Sequence, residues 1–229
     1  MKAIALIPAY NEEKTIKKVI SEIERVGLVP IVVDDGSTDR TYEISKKMNI
    51  VVIRHGENRC KGEALKTGFN FILKNLPKIR NVVIVDADMQ YSPKESIKIL
   101  EPLVRGEADL VMGYRNWRVV PLKNRLGNFV WRTGFNLLFK TRLKDTNCGF
   151  MALSRRAMRK MKQAYGGYII ENMMLIDALK NKFRIKQVPV SVGYKKKYSK
   201  RHIVRGIRIV IGCLIFIIIE GVKYRLSKI

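Results

Sequence analysis

The chain has 229 residues, 47% of them apolar, which suits one α/β domain with additions and excludes more than two small domains. Lys and Arg number 45 against 20 Asp and Glu, a formal charge of +25, so the surface faces nucleic acid, a membrane or phosphorylated substrates, unless it is simply a solvated, Lys- and Ile-rich surface of thermophilic type. Cys60, Cys148 and Cys213 lie far apart with no C-x-x-C and no paired His, which excludes a zinc ribbon and a disulfide framework and points to a reducing compartment.

The first residues already read as a strand, Ala3–Ile7, and no leader is expected. Glu12–Val26 is an amphipathic helix with Ile16, Val19, Ile20 and Ile23 on one face. Pro30–Val33 is a strand, and Thr38–Met48 a helix capped by Ser37 or Thr38. Ile50–Arg54 is a strand, and Lys61–Leu76 a helix ended by Pro77. Asn81–Val85 is a β-branched strand of the kind buried on both faces. Pro93–Val104 is a helix with Pro in its first turn, and Ala108–Met112 a strand. This alternation predicts an α/β fold with a doubly wound, mostly parallel sheet flanked by helices.

The second half differs. Residues 121–140 interleave Leu122, Leu126, Phe129, Val130, Trp131, Leu137 and Leu138 with Lys123, Arg125, Arg132 and Lys140, the pattern of an amphipathic interfacial helix; a helix packed on the sheet is the plainer reading. Lys195–Arg208 is dense in cations, and Ile209–Ile219 is apolar until Glu220. Eleven residues fall short of the about 17–25 a membrane span needs, so a shallow in-plane helix is expected, or an oligomerising one.

Three strand ends carry chemistry. After the first strand stand Pro8, Tyr10 and Glu12: a flat surface for a base and an acceptor for base or ribose donors. After the second stand Asp34, Asp35 and Gly36, carboxylates for base N–H groups or ribose hydroxyls and a residue that permits the turn. After the strand at Asn81 stands Asp86-Ala87-Asp88-Met89-Gln90, whose two carboxylates suit a hard divalent cation held against a diphosphate. Parallel sheets present ligand chemistry at this one edge, and four carboxylates there repel one another without a cation or a donor-rich ligand.

These residues carry a resemblance. The segments Ile7–Glu13, VVDDGSTDRT from Val32, KGEALKTGF from Lys61, DADMQ from Asp86, Gly113–Arg115, DTNCGFMAL from Asp145, Val188–Val190 and Tyr198–Lys200 resemble the family 2 inverting glycosyltransferases of GT-A fold, especially the polyprenyl-phosphate mannose synthases. The resemblance covers about residues 1–202, split into a nucleotide-sugar and metal half (1–115) and an acceptor half (116–202), with a membrane-associating or oligomerising helix at 203–229. It implies that Pro8, Tyr10, Glu12, Asp34 or Asp35, Lys61, Asp86, Ala87 and Asp88 bind the nucleotide sugar. It implies Mg²⁺ or Mn²⁺ on Asp86, Asp88 and Gln90. Asp88, Arg115 and Lys200 would carry catalysis, with Arg115, Arg125, Lys196 and Lys200 on donor or acceptor phosphate. The family's Arg before Ser-Lys is replaced here by one of Lys195–Lys197, which lack its bidentate fork. The Gln-x-x-Arg-Trp motif of processive synthases is absent.

The implied reaction moves a hexose to dolichyl or another polyprenyl phosphate with inversion, with mannose from GDP-mannose foremost and UDP-glucose or UDP-N-acetylglucosamine, or a non-lipid acceptor, as alternatives. An acceptor phosphate is anionic at neutral pH, so no general base is required, and His55 and His202 read as a solvated residue after a strand and a member of the basic cluster. The implied partners are a nucleotide sugar, the lipid phosphate and a membrane surface, not nucleic acid: an aromatic RNA-binding motif is missing and the acidic loops repel phosphates unless a metal bridges them. A nucleotidyltransferase would show a Gly-rich phosphate loop near the first strand, where Pro8–Glu13 stands. The expected location is the cytoplasmic face of the cell membrane, where cations beside the apolar tail each add about 1 kcal/mol of attraction to an anionic leaflet.

Overall fold

The first strand, β1 (Ala3–Ala9), is buried at every position, as a central strand covered on both faces must be. In this computed structural model, which describes residues 3–116, 122–161, 170–193 and 215–226, six further strands join it. These are β2 (Val29–Asp34), β3 (Val51–Arg54), β4 (Asn81–Ile84), β5 (Leu110–Arg115), β6 (Met151–Ser154) and β7 (Ile185–Val190), in the spatial order β3-β2-β1-β4-β6-β5-β7. All pairings are parallel except those of β6, which runs antiparallel to both β4 and β5. The strands β6 and β7, from the second half of the chain, thus complete the sheet begun by the first half.

The helices are α1 (Ile16–Arg25), α2 (Thr41–Lys46), α3 (Cys60–Asn75), α4 (Ser96–Val104), α5 (Leu122–Phe139), α6 (Arg155–Lys160), α7 (Ile170–Lys180) and α8, residues 215–226. Helix α1 buries Ile16, Val19, Ile20 and Ile23, the face expected from the sequence. It meets the Pro93–Glu95 turn that leads into α4, while α3 packs on β1 and β2 and meets α6. Arg155 ties α3 to α6, because its guanidinium donates to the carbonyls of Leu73, Leu76 and Ile79 at the end of α3.

Some boundaries move for a local reason. Helices α1 and α2 begin later than the sequence suggests, and neither Ser37 nor Thr38 caps α2. The two loops instead lace each other. Asn11 N donates to Ser37 Oγ (2.9 Å), Glu12 N to Thr41 Oγ1 (2.7 Å) and Thr38 N to Asn11 Oδ1 (2.9 Å). Asp39 Oδ1 takes the Thr41 N–H (2.9 Å). Half of the VVDDGSTDRT run therefore holds the first loop in place.

Helix α5 is amphipathic in a mixed sense. Trp131, Phe135 and Phe139 are buried, while Phe129, Val130 and Leu137 are exposed. Helix α8 docks on its C-terminal end: Tyr224 meets the Phe139 ring at 5.3 Å, and Arg225 donates to the carbonyls of Leu137 and Leu138. Its outer side leaves Ile215, Ile218, Ile219, Val222 and Leu226 exposed. Among the described residues, no helix is long and apolar enough to cross a membrane.

Candidate active site

The carboxyl ends of β2, β1 and β4 are neighbours. Ala9 pairs with Asp34, Leu6 pairs with Ile84, and Val85 N donates to Leu6 O, which carries Asp86 alongside Pro8. The loops leaving these ends line a cleft of about 570 Å³. Pro8, Tyr10 and Glu12 come from the first loop, Asp35 from the second, Lys61 from α3, and Asp86, Ala87, Asp88 and Gln90 from the third. Glu171, at the start of α7, also lines it and is missing from the sequence-based set. Three non-glycine residues of these segments, Asn11 (φ 55°), Cys60 (φ 72°) and Met89 (φ 61°), hold left-handed backbone. Each costs roughly 1 kcal/mol or more, and such strain gathers where a loop must present side chains to a ligand.

The structure separates Asp34 from Asp35. Asp34 is the last residue of β2 and is fully buried outside the cleft, with Arg54 Nε 3.2 Å from Oδ2 but no well-aligned hydrogen bond. Burial pushes its carboxyl above the ordinary value, against the opposing effects of Ser37 and Arg54. Asp35, one residue on, lines the cleft. Its Oδ1 accepts from His55 Nδ1 (2.7 Å) and the Arg59 N–H (3.0 Å). His55 is therefore not the solvated residue the sequence suggested: it is buried, with Nε2 2.9 Å from Thr67 Oγ1.

Lys61 bridges two acids. Its Nζ lies 2.7 Å from Asp86 Oδ1 and 3.1 Å from Glu171 Oε1. Burial alone would push the Lys61 ammonium down, but the two carboxylates outweigh it and hold it above its ordinary value. The carboxylate repulsion expected from the sequence is thus met by the protein's own cations and donors, Lys61 for Asp86 and Arg54 for Asp34.

The donor set fits a divalent cation shared with a ligand. Among the described residues, no group of three or more His, Cys, Asp or Glu is arranged to hold a metal alone. Lys61 meets Asp86 at Oδ1, and Asp88 commits Oδ1 to the Gln90 N–H (2.8 Å); neither Oδ2 has a hydrogen bond to another of the described residues. Gly149 makes the space beside them: a Cβ there would stand 2.7 Å from Asp86 Oδ2 and 3.1 Å from Lys61 Nζ. One or two carboxylates with the remaining positions left to water and phosphate is the usual Mg²⁺ arrangement.

Arg115, which the resemblance put on phosphate, does not line the cleft. It is buried and forms a bidentate pair with Asp145, Nε to Oδ2 at 2.7 Å and Nη2 to Oδ1 at 2.9 Å. It starts a polar chain through the DTNCGF segment. Arg115 and Asn147 meet Asn128 of α5, Asn172 Nδ2 donates to Asn147 Oδ1 (2.7 Å), and Trp131 Nε1 donates to Asn172 Oδ1 (2.9 Å). This chain fixes α5 and α7, and with α7 it fixes Glu171. Arg125, half-buried on α5, does not line the cleft, and Lys196 and Lys200 lie outside the described residues. The backbone leading toward them is anchored at the site, since Gly193 N donates to Gln90 O (2.8 Å) and Val192 bridges Tyr91.

A profile of glycosyl transferase family 2 matches residues 4–162. The UDP-N-acetylglucosamine–dolichyl-phosphate N-acetylglucosaminyltransferase of Methanococcus voltae is 30% identical across 92% of this chain and 92% of its own length. The dolichol-phosphate mannosyltransferase of Pyrococcus furiosus is 28% identical across 86% of this chain and 58% of its own. Glucosyl-3-phosphoglycerate synthase of Mycobacterium tuberculosis, crystallised with Mn²⁺, UDP and glucosyl-3-phosphoglycerate, shares the fold with a TM-score of 0.74 over 94% of this chain and 79% of that one, at 24% identity. With the profile covering more than half of the chain and a relative aligned nearly end to end, the chain belongs to glycosyl transferase family 2 and has the GT-A fold.

Proposed function

We propose that this glycosyltransferase moves one sugar from a nucleoside diphosphate sugar to the phosphate of a polyprenyl phosphate, with inversion. The observation that carries the reading is the cleft itself: a flat rim at Pro8 and Tyr10 with the Asp35 acceptor, and Asp86 and Asp88 side by side, each with its Oδ2 free of hydrogen bonds to the other described residues. That spacing of chemistry matches base, then diphosphate. The names of the relatives from Methanococcus voltae and Pyrococcus furiosus, both dolichyl-phosphate transferases, support the acceptor class.

In this reading Pro8 and Tyr10 hold the base, Asp35 accepts its N–H, and Glu12 accepts ribose hydroxyls. Asp86 and Asp88, beside Gln90, would hold a Mg²⁺ or Mn²⁺, which would supply positive charge against the leaving diphosphate. Lys61, held by Glu171, adds a second positive charge at the same place. The acceptor phosphate oxygen attacks the anomeric carbon as the bond to the diphosphate oxygen breaks, and the electron pair leaves on the diphosphate. The nucleophile is already ionised, so no side chain removes a proton. Arg125 and the lysines that follow Gly193 in sequence, Lys196 and Lys200 among them, offset the repulsion between acceptor and donor phosphates.

The exposed apolar residues of α5 and α8, with Arg132, Lys140, Lys223 and Arg225 nearby in sequence, support attachment to the cytoplasmic face of a membrane. Two donors have support. GDP-mannose follows from the D-A-D-x-Q resemblance, and UDP-N-acetylglucosamine from the length-matched relative. The test incubates the purified chain with Mn²⁺, each donor, and either polyprenyl phosphate, the unphosphorylated polyprenol or 3-phosphoglycerate. Sugar on polyprenyl phosphate alone is expected. Transfer only to 3-phosphoglycerate, or to no acceptor, contradicts the reading.

A further inference from the structure

The two oxygens of Asp35 are not equivalent. Oδ1 takes two donors, His55 Nδ1 at 2.7 Å and the Arg59 N–H at 3.0 Å. A carboxylate oxygen has about two lone-pair sites, so Oδ1 is full. The remaining acceptor is Oδ2, which has no hydrogen bond among the described residues.

His55 cannot readily release Oδ1. The carboxylate has no proton to give, so Nδ1 carries the hydrogen, and Nε2 is paired with the Thr67 hydroxyl from α3. The His55 N–H is anchored on Asp34 O at 2.9 Å. The loop that follows is pressed against Gly36 (φ +72°), where a Cβ would stand 2.4 Å from the Glu57 carbonyl carbon. Backbone and ring are therefore both held, and Asp35 is left as a single-acceptor site.

We infer that His55, acting through Asp35, makes the cleft selective for uracil over guanine, so that the donor is a UDP-sugar. The inference rests on the proposal that this cleft binds a nucleoside diphosphate sugar. Guanine offers two adjacent donors, N1–H and N2–H₂, and engages a carboxylate through both oxygens. Uracil offers one, N3–H, between two carbonyls, and needs one oxygen. With Oδ1 filled, guanine leaves one of its two donors without a partner on Asp35, whereas uracil is satisfied. His55 is a positioning residue here, since it touches Asp35 and not the base.

The test is calorimetric titration of the full chain with UDP and with GDP, each with Mn²⁺. UDP is expected to bind at least about tenfold tighter. His55→Asn retains a donor at the Nδ1 position and should keep that ratio, whereas His55→Leu frees Oδ1 and should bring the ratio toward one. GDP binding as tightly as UDP to the unaltered protein overturns the inference and leaves the cleft assignment standing. An unchanged ratio in His55→Leu overturns the role of His55. Failure of both nucleotides to bind overturns the cleft assignment together with the inference.

Discussion

Gly149 offers a way to disturb the candidate metal site without disturbing the core. A methyl at this position would stand 2.7 Å from Asp86 Oδ2, 3.1 Å from Lys61 Nζ and 3.2 Å from Glu171 Oε1. Ordinary contact begins near 3.4 Å, so the Asp86 carboxylate must retreat by about 0.7 Å. All three neighbours are ends of side chains, which move cheaply, so Gly149→Ala should fold with a melting temperature within a few degrees of the unaltered protein. Function should respond far more. Displacing a charged group by most of an ångström at a reacting centre can lower kcat/KM by about 10²-fold. The assay pairs sugar transfer to polyprenyl phosphate with thermal unfolding of the same preparation. Transfer within threefold of normal would refute the placement of the diphosphate and metal at Asp86, and a collapsed fold would refute the claim that only side-chain ends crowd this glycine.

Lys61→Met should leave Asp86 and Glu171 facing each other without a cation; because all three are partly exposed, the expected loss is about 1–3 kcal/mol, and Mn²⁺ should restore more melting temperature than it adds to the unaltered protein. Arg155→Ala removes a guanidinium from three carbonyls at the end of α3 and should cost about 2–3 kcal/mol in urea unfolding, with nucleotide affinity unchanged. Burial pushes the Asp177 carboxyl up to about 6, with Lys180 opposing and the Glu220 charge adding to the rise. A raised folded-state value means that the protonated acid favours folding, a contribution present below about pH 4 and lost as pH rises through about 6. Asp177→Asn should therefore be more stable than the unaltered protein by about 1–2 kcal/mol at pH 7.5, after allowance for its partial exposure, and equal to it at pH 4. Equal unfolding curves at both pH values would contradict this.

The sequence made the chemistry of the sheet edge legible because each loop directly follows a run of β-branched or aliphatic residues, and strand ends in parallel sheets share an edge. What stayed hidden depends on pairs distant in the chain. Glu171 joins the site from α7, where nothing local distinguishes it from a solvated first-turn acid. His55 looks solvated after an edge strand until its partner Asp35, 20 residues earlier, is in place. Arg115 shows no partner in the sequence until Asp145, 30 residues later, takes the Nε and Nη2 edge of its guanidinium. Adjacent Asp34 and Asp35 differ only in which one ends the strand, and a boundary error of one residue exchanges their roles. The antiparallel β6 is four residues long and buried at three of them, so it shows no alternation. Its position between β4 and β5 follows from topology alone.

The proposed reaction turns on a cation held jointly by Asp86, Asp88 and a nucleoside diphosphate, and electron paramagnetic resonance of Mn²⁺ tests this directly. Titrated alone, Mn²⁺ should bind weakly, because the protein supplies two carboxylates and one of them is engaged by Lys61. Addition of UDP should tighten Mn²⁺ binding by at least about tenfold, since the diphosphate completes the coordination, and Asp88→Asn should abolish that gain. Mn²⁺ affinity that ignores the nucleotide, or a gain that survives Asp88→Asn, would contradict the account.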